Sequence, residues 1–140
     1  MKQFNKYGVA LAVSAVATSA VATVKSDQNL GDAAIVPYYT TTAGKNTGVH
    51  IVNTTSATQV VKFRLRRGAD SRDAMDFNII MSPWDVWTGS IQADDTAGVK
   101  IFSGDTTCTA PQFTDGVALM PSTYAEGAGE GYIEIIGMGQ

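Results

Sequence analysis

Apolar and polar positions alternate most regularly between Val61 and Arg66. Val61, Phe63 and Leu65 share one parity, and Lys62, Arg64 and Arg66 share the other. Successive side chains on a strand point to opposite faces, so this pattern predicts a β-strand with one buried and one wetted face. The same rhythm returns over residues 75–81, where Phe77, Ile79 and Met81 oppose Asp76, Asn78 and Ile80. Residues 48–53 predict a shorter strand, with Val49 and Ile51 opposed to His50 and Val52. Residues 33–41 predict another; Pro37 inside it demands an edge position or a bulge, because proline brings no N–H to a ladder. After the break at Ser82-Pro83, residues 84–91 alternate without declaring which side is buried. Trp84, Val86 and Thr88 take one face, and Asp85, Trp87 and Ile91 the other. Residues 99–103 and 131–138 complete the set, the last carrying Tyr132, Ile133, Ile135 and Ile136.

Turn chemistry separates these segments. Asn53-Thr54-Thr55-Ser56 reads as a hairpin-like connection into the strand that holds Phe63. Gly68-Ala69-Asp70-Ser71-Arg72-Asp73 is a charged link with room for one helical turn, Arg67 belonging to it. Asp94-Asp95-Thr96-Ala97-Gly98 is a turn. Residues 104–131 are long, glycine-rich and unpatterned apart from 117–120; a loop of that length is functional, disordered or misread. Short strands with turn signals between them predict an all-β fold, an antiparallel sandwich. At 140 residues the chain suits one domain, placed over 33–140.

The N-terminus departs from this pattern. Lys2 and Lys6 precede an apolar run rich in Ala and Val, and Ala20-Val21-Ala22 supplies a small-residue cleavage pattern. This is the layout of a secretory signal peptide over 1–22, cut after Ala22, with Ala20 as the alternative site. The run is shorter than the ~20 apolar residues a membrane helix requires, and no later stretch is apolar enough to span. Residues 23–32 read as a flexible arm. Loss of the leader removes two lysines and no acid, moving the net charge from −3 to −5. An acidic mature chain disfavours nucleic acid, whose binders present a basic surface.

Candidate chemistry is sparse. Lys62, Arg64 and Arg66 form a row of cations about 7 Å apart on one strand face, which would serve an anionic glycan or a partner's acids, or simply a solvated face that discourages edge pairing. Trp84 and Trp87 would make a sugar platform if they shared a side, but an offset of three puts them on opposite faces, one of them in the core. Asp94-Asp95 and Asp70 with Asp73 offer oxygen ligands, short of a full calcium-loop pattern. Asn53-Thr54-Thr55 matches the N-glycosylation acceptor pattern. Cys108 is the only cysteine and His50 the only histidine, which disfavours a Cys/His zinc site. No nucleophile–base signature accompanies them. Cys108 stands as a free thiol, buried and inert, or as half of a disulfide whose mate lies in another chain or beyond Gln140. No cofactor is expected.

The runs Ile51-Val52-Asn53-Thr54, Val61-Lys62-Phe63-Arg64, Asp76-Phe77-Asn78-Ile79-Ile80-Met81-Ser82-Pro83 and Asp85-Val86-Trp87-Thr88 resemble secreted or cell-surface proteins of Gram-negative bacteria built from immunoglobulin-like β-sandwich modules. The resemblance covers about residues 33–91 and departs over 104–131. It implies an immunoglobulin-like sandwich and is nearly silent on activity. Members of that group are longer; a continuation past Gln140 would supply another strand and a mate for Cys108. The expected role is non-enzymatic: an exported protein of the cell surface or periplasm acting in structure, adhesion or assembly, with other protein chains or surface glycans as partners. The alternative is a carbohydrate-binding module using Trp84 or Trp87 with the cation row. A secreted hydrolase fragment ranks last, for want of a catalytic set.

Overall fold

The computed structural model describes residues 33–139, so the leader and the 23–32 arm lie outside the described residues. Within them the chain forms β1 (Ala33–Thr40), β2 (Thr47–Val52), β3 (Gln59–Arg67), β4 (Asp73–Met81), β5 (Val86–Asp94), β6 (Gly98–Phe102), β7 (Cys108–Ala110), β8 (Val117–Leu119) and β9 (Glu130–Gly139). Single 3-10 turns occur at Thr42–Gly44 and Ser122–Tyr124. One sheet has the order β1-β9-β3-β4-β7 and the other β2-β5-β6-β8, with every pairing antiparallel. The protein is an all-β sandwich.

Strand β3 sits in the middle of the larger sheet because its two parities suit two environments. Val61, Phe63 and Leu65 are buried, while Lys62, Arg64 and Arg66 lie half-buried on the outer face. The Phe63 ring stacks on Phe77 of β4 at 5.0 Å, and Trp87 of β5 reaches across from the second sheet to within 5.8 and 5.9 Å of the two. Each of these large side chains contributes roughly 1.5–3 kcal/mol by leaving water, and aromatic pairs at such distances add to that. Two glycines make this packing possible. A Cβ on Gly89 would stand 2.3 Å from the Trp87 ring, and one on Gly131 would stand 1.8 Å from the Arg66 carbonyl oxygen and 2.8 Å from the Tyr39 ring.

Only β3–β4 and β5–β6 are hairpins; every other connection changes sheet. The connection at 53–58 is therefore not the hairpin its sequence suggests. Asn53 is buried, and its amide donates to the Ala57 and Ser82 carbonyls at 2.8 and 2.7 Å while its Oδ1 accepts from Thr55 N–H at 3.0 Å. This small network turns the chain from β2 in one sheet to β3 in the other. Pro37 stands on an edge strand, beside a register irregularity between Val36 and Tyr39, as proline requires. Strand β5 begins at Val86, so Trp84 lies in the preceding turn rather than in the strand predicted over 84–91.

Candidate functional site

The sandwich has two flanks. At one, β1 and β2 are the outer strands, and the Thr47 hydroxyl bridges them by donating to the Thr40 carbonyl at 3.0 Å and accepting from its N–H at 3.1 Å. Glu130 gathers this corner: Tyr38 donates to it at 2.8 Å, and Thr40 and Thr42 at 3.3 Å. The Tyr38 hydroxyl, with help from the two threonines, holds the Glu130 carboxyl below its usual pKa. Tyr39 is buried beneath, donating to the Ala128 carbonyl at 2.7 Å, and burial pushes its pKa up to about 12.

The other flank is open. Strand β7 pairs with β4 only through Asn78, Ile79 and Ile80. No strand of the described residues pairs with residues 73–77 of β4 on that side. Alongside them runs a groove of about 720 Å³ between β4 of one sheet and β8 of the other. Phe77 and Met75 reach it from the core. Phe113 stacks edge-on against Phe77 at 4.9 Å, and Leu119 (61% exposed) and Tyr124 form its outer lip. Sequence reasoning missed this site. Its only warning was that 104–131, which supplies Phe113, Leu119 and Tyr124, was too long and apolar in places to be an idle loop.

The sequence-predicted residues scatter. The cation row faces outward as expected but is neutralised by neighbouring strands. Lys62 pairs with Asp76 at 2.9 Å, Arg66 with both Asp73 and Glu134 at 2.9 Å, and Arg64 lies 3.8 Å from Glu134. The hydrogen bond that Arg66 Nε donates to the Glu134 carboxylate raises the Arg66 pKa above its usual value. A row already matched by acids offers an anionic ligand little free charge. Asp70 and Asp94 are likewise engaged. Asp70 binds the Arg67 guanidinium, which depresses its carboxyl pKa, and Arg67 is the last residue of β3 rather than part of the turn. Asp94 accepts from the Ala97 and Thr96 N–H groups, which does the same for it. No cluster of three or more His, Cys, Asp or Glu side chains suited to a metal occurs among the described residues.

Asn53 is no glycan acceptor in the folded protein, since its amide is buried and donates to two carbonyls. Cys108 is exposed and free on the edge strand β7, which overturns its reading as a buried thiol. His50 lies on β2 of the other sheet, at the opposite flank, bonded to Thr88 at 3.2 Å. A Cys–His pair is therefore not assembled.

The tryptophans part company. Trp87 is 1% exposed and belongs to the core, with its indole N–H buried and without an acceptor among the described residues. Trp84 is 67% exposed. It occupies the third position of a turn closed by Asp85 N–H to Ser82 C=O at 3.2 Å, with Pro83 second and Trp84 at φ +61°. That is the type II pattern, in which glycine is the usual third residue; a bulky side chain there costs about 1–2 kcal/mol.

Comparison with protein-family models, with curated proteins and with solved structures finds no match to this chain.

Proposed function

We propose that the chain is a non-enzymatic, exported β-sandwich of the immunoglobulin-like kind, working at the cell surface or in the periplasm in structure, adhesion or assembly. The observation that carries this reading is the unpaired half of β4 beside an apolar groove. An extended segment of another protein chain would continue the sheet there. Its backbone would bond to β4, and every second side chain would settle on Phe77, Phe113 and Leu119. Export rests on the leader over 1–22. The non-enzymatic part rests on the separation of His50 from Cys108 and on the ion pairs that engage Asp73, Asp76 and Glu134.

The reading is tested by panning a displayed library of random dodecapeptides against residues 23–140. Enriched peptides should alternate apolar and polar residues, and Leu119→Lys should abolish their binding without changing the melting temperature. Failure to enrich, or binding that survives Leu119→Lys, would refute strand docking at this groove.

A further inference from the structure

We infer that the Trp84 turn is a second binding site, a stacking platform for a neutral carbohydrate, separate from the β4 groove and independent of it. The inference starts from a conflict between backbone and side chain. Trp84 takes a conformation that glycine adopts freely and tryptophan resists, yet its ring stays mostly in water, so burial does not offset the strain. Strain of this kind persists only where the surroundings impose it.

The surroundings do impose it. Trp84 N–H donates to the Thr55 carbonyl at 3.1 Å, and Asn53 N–H donates to the Asp85 carbonyl at 2.8 Å. The buried Asn53 amide holds the Ser82 carbonyl at 2.7 Å. The Asp85 carboxylate takes the Val86 N–H at 2.9 Å, the Ser82 N–H at 3.2 Å and the Thr107 hydroxyl at 3.1 Å. The backbone that carries the indole is thus fixed in advance, so binding has only the side-chain rotamer left to order, which lowers its cost.

The chemistry around it selects the ligand. The side chains that clamp the turn are Asn53, Asp85 and Thr107, and Thr54 and Ser56 are exposed in the adjoining connection. No lysine, arginine or histidine is among them. Both carboxylates beside the turn are engaged: Asp85 takes the Val86 and Ser82 N–H groups, and Asp105 takes the Thr107 N–H at 2.8 Å and shares the Thr107 hydroxyl, at 2.7 Å, with Asp85. Among these side chains an acidic glycan would find no cation, and a cationic ligand no unengaged anion. A pyranose ring offers an apolar face of C–H bonds to an indole and hydroxyls at its rim to Thr and Ser, the division that aromatic side chains at interfaces exploit. The cation row that the sequence associated with such a site lies on the outer face of the larger sheet and is matched by acids, so it takes no part.

The probes are four neutral hexaoses, built of β-glucose, α-glucose, β-mannose and β-N-acetylglucosamine, titrated into residues 23–140. Binding is followed by quenching of tryptophan fluorescence and by calorimetry. At least one should bind with a change in fluorescence, since Trp84 is the exposed one of the two emitters. Trp84→Gly should weaken binding about tenfold or more while the melting temperature holds or rises, because glycine relieves the turn. Trp84→Phe should retain most of the binding. A purely structural tryptophan behaves oppositely: Trp84→Gly lowers the melting temperature and leaves binding alone. That result, or no binding by any of the four probes, overturns the inference.

Discussion

The two flanks of the sandwich solve the problem of a sheet edge differently. Strand β1 is long and, among the described residues, unpaired on its outer side, but Pro37 withholds an N–H at its middle and the register breaks between Val36 and Tyr39. Proline and irregularity are the standard means of stopping an edge from recruiting another strand. The flank at β4 has no proline within β4, and what lies beside its unpaired half is a hollow lined with Phe77, Phe113 and Leu119. One flank carries the features that refuse a strand; the other lacks them, which is why we propose that it receives one. The contrast teaches that edge chemistry, rather than overall composition, carries the functional information in this chain.

If the β1 flank is the rigid one, insults there should cost most. Gly131→Ala would drive a methyl into the Arg66 carbonyl and the Tyr39 ring, and should destabilise by more than about 4 kcal/mol or prevent folding, as read by urea denaturation. The same flank should be sensitive to alkali. The Tyr39 pKa is raised when folded, to about 12 from 10, so its stabilising effect is complete below pH 10 and is lost as pH climbs toward 12. The loss should approach ~3 kcal/mol, and Tyr39→Phe should flatten the pH dependence in that window. A flat profile for the native chain would mean that this corner opens more readily than its packing indicates.

The open flank should be more forgiving. Phe113→Ala removes a ring that rests on the core from outside, and should cost about 2 kcal/mol, against about 4 for the fully buried Phe63→Ala. Equal costs would make Phe113 a core residue and the groove incidental. Smallest of all, Pro37→Val should alter stability by less than about 0.5 kcal/mol yet produce concentration-dependent association in sedimentation runs. If the variant stays monomeric at every concentration, Pro37 is not what guards β1.

Much of this was legible in the residues, and the reasons are specific. The parity of Val61, Phe63 and Leu65 against Lys62, Arg64 and Arg66 announced both the strand and its faces, because a half-buried strand has no other way to be written. The same parity put one of two tryptophans in the core, though it extended β5 back through the Pro83 turn and so hid the conformation of Trp84. The sheet to which β2 belongs was not legible. A tight polar connection looks alike whether it reverses within a sheet or crosses between two, and the deciding fact was where the Asn53 amide found its acceptors. The groove was least legible, since it arises from a pairing that stops short and from Phe113, Leu119 and Tyr124, which share no period.

The place of β9 has a consequence for the order in which the molecule is made. Among the described strands of its sheet β1 touches only β9, the one furthest from it in sequence. As the polypeptide emerges from the ribosome, β1 has no mate until residues 130–139 have also appeared. Of the described strands the first must wait for the ninth, so the sheet zips up late and through contacts of high sequence separation, the class that forms slowly.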